Sequence, residues 1–279
     1  MKKVLALAFG AAMSTGALAV PASLLPPGPV YLKYSGQEQI AINGATTYAG
    51  SKEINWGVFV MSTMEKGSVA KPNDSIDPNG DFFYGNGFSG GQVTGMFYGI
   101  ERGEASATNP FPATKGFMDL YWRDTDIYKK STINIKDDGV RCGWNCAKGF
   151  TEGTFLARLY FDTGMDLGSK TNTIVGTTVP VSGNFSGFAD SYASIDKSAG
   201  GLWANQLDSN YFHTLLGNRD LRFKNSYHYN QNWNGGTNIV GARVDDPGQA
   251  YVLPEPGALS LMGLAMFGMG VTLRRRRKN

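Results

Sequence analysis

From Tyr31 onward the chain alternates apolar and polar positions in short runs broken by Gly, Asn and Asp. That period of two is the signature of β-strands. In Glu53 to Ser62, Ile54, Trp56, Val58 and Val60 fall on one face and Asn55, Gly57, Phe59 and Met61 on the other, so both faces are expected to be partly covered. Val93 to Ile100 and Phe117 to Trp122 read as strands on either side of the breaker Asn109-Pro110-Phe111-Pro112, with Met118, Leu120 and Trp122 forming an apolar side. Thr154 to Phe161 places Phe155, Ala157, Leu159 and Phe161 on one face, and Asp162-Thr163-Gly164 ends it with a turn. Asn172 to Tyr192 holds two further strands, and the clearest strand runs from Leu221 to about Trp233. Only Leu202 to Leu216, with Trp203, Leu207, Tyr211 and Leu215 four apart, has helical spacing. Many short strands with at most one helix predict an all-β body over 31–250, an antiparallel β-sandwich or jelly roll. No fixed repeat points to a solenoid or propeller.

The two ends follow a different pattern. Lys2 and Lys3, the apolar run Val4 to Ala12 and the small residues of Ala17-Leu18-Ala19 predict a secretory signal peptide over 1–19, handled by the Sec machinery. A proline-rich leader over 20–30 is expected to be extended and loosely held. At the other end, over 251–279, Leu259 to Leu273 carries no charge and would measure about 22 Å as a helix, short of the ~30 Å hydrocarbon core. Arg274, Arg275, Arg276, Arg277 and Lys278 follow as a stop-transfer cluster, so this run is expected to be a membrane helix with the body outside the cytoplasm. Pro254 and Pro256 hold the preceding stretch extended, in a form a processing enzyme can bind.

Pro254-Glu255-Pro256, the apolar run with Gly263, Gly268 and Gly270, and the arginine cluster together resemble the PEP-CTERM sorting signal. The resemblance covers about a tenth of the chain. It implies recognition by an exosortase-type processing enzyme, transient residence in the inner membrane, and delivery to the cell surface or extracellular matrix. It also implies a non-enzymatic adhesive role in biofilm or floc formation, as in flocculation-associated members, with extracellular polysaccharide as a partner. Leu253-Pro254-Glu255-Pro256-Gly257 has Pro256 where the sortase motif has Thr, which disfavours ordinary sortase processing.

Charge changes the picture once the ends are set aside. The net charge of +3 becomes about −3 without Lys2, Lys3, Glu255, Arg274–Arg277 and Lys278, so nothing favours a nucleic-acid-binding body. Cys142 and Cys146 bracket three residues in a Gly-rich loop, where a structural disulfide is expected in an exported protein. Tyr227, Tyr229 and Trp233 offer an aromatic face for sugar rings, with Asn230, Gln231, Asn232 and Asn234 beside it. The same alternation also describes a strand facing the core, which is the more economical reading.

Asp77-Pro78-Asn79-Gly80-Asp81 opens like a calcium loop but has Phe82 and Phe88 where Gly and Glu are needed, and it is also an ordinary turn. No metal site or cofactor is expected. His213 and His228 are the two histidines, and no nucleophile elbow or zinc motif is present. The alternative to a binding protein is a polysaccharide hydrolase using Asp124/Asp126, Asp137/Asp138 or Asp245/Asp246. A third reading is a tail-anchored periplasmic protein that is never processed.

Overall fold

The computed structural model describes residues 25–254, apart from 87–89, 107–108, 125–139 and 182–183. In chain order the strands are β1 (Gly28–Ala41), β2 (Glu53–Val69), β3 (Ile76–Gly85), β4 (Gly91–Arg102), β5 (Ala113–Asp124), β6 (Arg141–Gly143) and β7 (Cys146–Ala147). They continue as β8 (Thr154–Asp162), β9 (Ile174–Val181), β10 (Asn184–Ile195), β11 (Phe212–Thr214), β12 (Gly217–Arg219), β13 (Leu221–Tyr229) and β14 (Ile239–Val252). One α-helical turn, α1 (Ala204–Leu207), lies among them.

A single antiparallel sheet dominates. Leaving out β3 and β9, each of its strands pairs with the next in the chain (β1, β2, β4, β5, β8, β10, β13, β14), and β14 returns to β1. β1 therefore hydrogen-bonds along both sides: Ile40 faces Asn55 of β2 and Val240 of β14, and Val30 faces Lys66 and Ala250. The circuit is not a regular barrel. β3 takes over from β4 along the far half of β2, and β9 covers most of β10 where β8 stops. Bulges interrupt the register of β1 with β2 and of β2 with both neighbours.

The expected sandwich or jelly roll is thus corrected to one continuous antiparallel sheet that closes on itself. The physical reason is that period-two alternation marks an inward row and an outward row whether the inward rows face a second sheet or one another. Only the pairing of the first strand with the last decides, and that contact is remote in sequence.

The inward rows meet in one core. From β1 come Val30, Leu32 and Tyr34; from β2, Phe59 and Met61; from β4, Val93, Phe97 and Ile100; from β5, Met118, Leu120 and Trp122; from β8, Leu156, Ala157, Leu159 and Phe161. Gly57 keeps this interior open for larger rings, since a Cβ there would sit 2.4 Å from Phe97 Cζ. One end of the circuit is plugged. Trp203 and Leu207, read from sequence as part of a long helix, are buried there around the single turn of α1. Trp203 N–H donates to the Leu156 carbonyl at 2.8 Å and Leu253 N–H to the Gln206 carbonyl at 2.7 Å. The predicted Leu202–Leu216 helix fails because its apolar residues point into the plug and then into the short β11–β12 hairpin.

The leader is less loose than its prolines imply. Leu25 is buried in the core and β1 begins at Gly28.

β4 is buried on both sides, because a second cluster covers the outer face. It holds Trp56, Val58, Met96, Tyr98, Ala147, Phe150 and Trp233. Cys142 and Cys146 form a disulfide that staples the β6–β7 hairpin over this face. Trp144 at its tip packs edge-on against Tyr98 at 4.9 Å, and Phe150 accepts the Thr94 hydroxyl at 2.8 Å through its carbonyl. Arg141 forms a two-pronged ion pair with the buried Glu53 (2.5 and 3.0 Å) and lies over Trp56 at 4.8 Å.

The transient inner-membrane location, the delivery to cell surface or matrix and the exosortase-sorted adhesive role, all built on a C-terminal membrane helix, are withdrawn, because the described residues supply no such helix. Among the described residues no helix is long and apolar enough to cross a membrane. α1 has four residues, whereas a span needs about 20. Glu255 and Pro256 of the sorting motif, the run Leu259–Leu273, the stop-transfer residues Arg274, Arg275, Arg276 and Arg277, and the signal peptide 1–19 lie outside the described residues.

Asp119 of β5 is fully buried and faces Arg158 of β8 directly across the sheet. Arg158 donates to both carboxylate oxygens, at 2.8 and 2.9 Å, and the Tyr98 hydroxyl adds a third bond at 3.2 Å. Removing one partner of a buried pair strands the other charge. Arg158→Ala is therefore expected to lower the unfolding free energy by about 3–5 kcal/mol in urea titrations, whereas Lys115→Ala, which breaks an exposed pair with Glu101, costs less than about 1 kcal/mol.

Candidate functional site

Opposite the plugged end, the circuit holds a cavity of about 520 Å³, within the ~300–1,000 Å³ usual for small-molecule sites. Its position follows from strand geometry. The C-terminal ends of β1, β4 and β13 meet the N-terminal ends of β2, β5, β9 and β14 around it, so their inward rows converge there. Tyr34, Phe97, Met118, Phe161, Tyr227 and Val244 form apolar walls, and Phe111, half-exposed, and Arg102 stand at the rim. Tyr34 donates to Asn225 Oδ1, and the Tyr227 hydroxyl donates to the Thr177 carbonyl at 2.7 Å, so both phenols turn their polar ends into the wall.

Among the described residues, one acid lines this cavity. Val30, Leu32, Tyr34, Gly36, Glu38 and Ile40 share the inward side of β1, which places Glu38 where an apolar residue is expected. Only 5% of its surface is exposed. Burial pushes its carboxyl from the ordinary 4.5 up to about 7, against the opposing effect of the Asn55 amide, which donates to Oε2 at 2.9 Å. Asn55 sits on the adjacent inward row of β2, and that bond engages one of its two amide N–H donors. Its own Oδ1 is buried and has no donor. Sequence patterning carried this signal, since a carboxylate in the middle of an otherwise apolar row is visible from the spacing alone.

The rim is held by a buried polar knot. Asp166 accepts from Asn109 at 2.8 Å, Asn172 at 2.9 Å and the Gly168 N–H at 3.0 Å, while Asn109 Oδ1 accepts the Gly176 N–H at 3.1 Å. Burial alone would raise the Asp166 carboxyl, but these bonds outweigh it and hold the carboxyl below the ordinary value. The knot fixes Pro110, Phe111 and Pro112 against the start of β9, beside the cavity mouth.

The residues singled out from sequence are dispersed. Tyr227 faces the cavity, whereas Trp233 belongs to a 3-10 turn (Gln231–Trp233) on the outer face, 5.5 Å from Trp56. Tyr229 ends β13 and accepts a bond from Asn234 at 3.1 Å. The three aromatics share no sugar-binding face, because the strand stops at Tyr229 and Asn230 caps the turn that follows.

Asp77, Asn79 and Asp81 lie on β3, where Asp81 pairs with Lys66 at 2.8 Å; no group of three potential metal ligands occurs among the described residues. Asp126, Asp137 and Asp138 lie outside the described residues, and Asp245 pairs with Arg243 at 2.7 Å. His213 contacts Asn73 at 3.2 Å and His228 is exposed, both away from the cavity.

No described protein family matches the sequence, and no curated protein does. No relative therefore supports the exosortase-sorted, matrix-adhesive reading drawn from the sorting-signal resemblance, and that reading is withdrawn. Among solved structures, a match covers 82% of this chain and all of the attachment invasion locus protein of Yersinia pestis, in complex with the heparin analogue sucrose octasulfate. It shares 8% identity and has a TM-score of 0.15, too low to carry an argument about fold or ligand.

Glu38 makes stability depend on pH with a known sign. The folded state holds its proton more tightly than the unfolded chain, so the contribution is complete below about 4.5 and is lost as pH rises through about 7. The expected loss is about 3 kcal/mol across that interval. Urea titrations at several pH values test this, and Glu38→Gln is expected to flatten the slope in that window.

Proposed function

We propose that the protein binds a small, predominantly apolar molecule inside its closed sheet and does so without turnover. The observation that carries this reading is the cavity itself: 520 Å³, walled by aromatic and aliphatic side chains, plugged at the far end and rimmed by a fixed loop. Closed sheets of about eight strands have interiors just wide enough to be filled by side chains or to hold one small ligand. Here one half is filled and the other is not. The absence of turnover is supported by the chemistry of the lining. Glycoside hydrolysis needs two carboxylates on opposite sides of the bond, and among the described residues Glu38 is the one acid that lines the cavity.

Titration of the full-length protein with a neutral, environment-sensitive apolar fluorophore is expected to saturate at one site per chain. Ala189 lies on the inward row of β10 and lines the cavity. Ala189→Trp is expected to weaken probe binding by at least roughly tenfold while the far-UV spectrum and cooperative unfolding persist, since overpacking costs only about 1–3 kcal/mol. Unchanged probe affinity in a folded Ala189→Trp protein would refute binding at this site.

A further inference from the structure

We propose that the ligand of this cavity is a lipophilic amine, whose protonated nitrogen sits between the Glu38 carboxylate and Oδ1 of Asn55. This rests on the cavity being a binding site and goes further by assigning the head group. The polar station at the wall is rich in acceptors and short of donors. Asn55 engages Glu38 Oε2 through an N–H of its amide, and the amide oxygen of the same side chain accepts nothing in return. That oxygen is buried and receives no hydrogen bond. A buried acceptor without a donor is costly, and an ammonium group brings three N–H donors and a positive charge to the same place. A carboxylate ligand would meet Glu38 as a like charge and would add acceptors where donors are needed. An alcohol offers one donor and no charge.

The rest of the lining leaves Glu38 without a competing cation at the station. On β1 the other titratable group facing the cavity is Tyr34, bonded to Asn225. On β2, Glu53 is held on the outer face by Arg141. β4 contributes Arg102, which is exposed at the rim. β13 contributes Tyr227, bonded to Thr177, and on β14 Arg243 is exposed and paired with Asp245. Among the described residues, no lysine or histidine lines the cavity. An incoming ammonium therefore meets a carboxylate that burial keeps short of partners, and binding would draw Glu38 into its ionised form. The apolar walls then take up the hydrocarbon part of the molecule.

The test displaces the neutral fluorophore with three molecules of equal chain length, decylamine, decanol and decanoate. At about pH 8, decylamine is expected to compete at least roughly tenfold better than the other two, a difference worth about 1.4 kcal/mol. Its advantage is expected to shrink by about tenfold near pH 5.5, where Glu38 holds its proton, while decanol stays unchanged. Glu38→Gln is expected to abolish the preference for the amine and retain probe binding. Equal competition by all three in the wild-type protein, or a preference for decanoate, overturns the amine assignment while leaving the cavity reading intact. Failure of the probe to bind the wild-type protein removes both. Because the comparison among three ligands needs no variant, a poorly folded Glu38→Gln protein would not obscure the outcome.

Discussion

Closure of the sheet by β1 is the constraint on which the other features depend. An antiparallel sheet with two free edges exposes rows of unpaired N–H and C=O groups and has no enclosed side. Here β1 is paired with β2 on one flank and β14 on the other. That single strand turns a meander into an enclosure, and an enclosure forces every inward row toward a common axis. A hydrophobic core and a cavity then become alternative ways to fill the same interior. Bulky residues and the Trp203–Leu207 plug fill one half. Smaller residues such as Ala113 and Ala189, with Gly176 at the wall, leave room in the other.

An open pocket inside a small protein weakens the packing around it, and the outer face compensates. Strands that line the cavity on one side are clamped on the other by Asp119–Arg158, by Glu53–Arg141 and by the disulfide-stapled hairpin. Phe59 and Trp56 illustrate the division on β2. Phe59 points to the interior core and Trp56, three residues away, packs under Trp233 and Arg141. The double-sided burial of β4 follows from the same division, with Met96 and Tyr98 outside and Phe97 and Ile100 inside.

Much of this was legible in the chain. The two faces of Glu53–Ser62, the apolar side Met118–Leu120–Trp122 and the face Ala157–Leu159–Phe161 follow from period two. Phe155 leaves that face to pack on Tyr121, and Leu156 takes its place in the core beside a register shift in β5. The closed circuit was not legible, because alternation says which side of a strand is buried and nothing about which strand lies opposite. The helix expected over Leu202–Leu216 failed for a related reason. Trp203, Leu207, Tyr211 and Leu215 repeat every four residues, yet Leu215 is largely exposed and His213 and Thr214 belong to a strand. The residues Tyr227, Tyr229 and Trp233 do not share one face because a 3-10 turn carries Trp233 into the buried cluster that covers the outside of the sheet. Glu38 could have been found: its place in the row from Val30 to Ile40 needed only the alternation already in use elsewhere.

The partnership of β1 with β14 also sets the order in which the molecule can be made. Gly28 faces Val252 across the ladder, so β1 is made long before β14 can cover its second flank. Ladders between neighbours in the chain close short loops, whereas this one closes a loop of nearly two hundred residues. Such remote pairing slows folding and leaves a strand edge open to other chains in the meantime. The charged Lys33, exposed on β1, stands on the strand that waits longest and gives that edge some protection against mispairing. Enclosure, which makes the cavity, therefore depends on a pairing that cannot form until β14 has been made, and the ligand space does not exist before that.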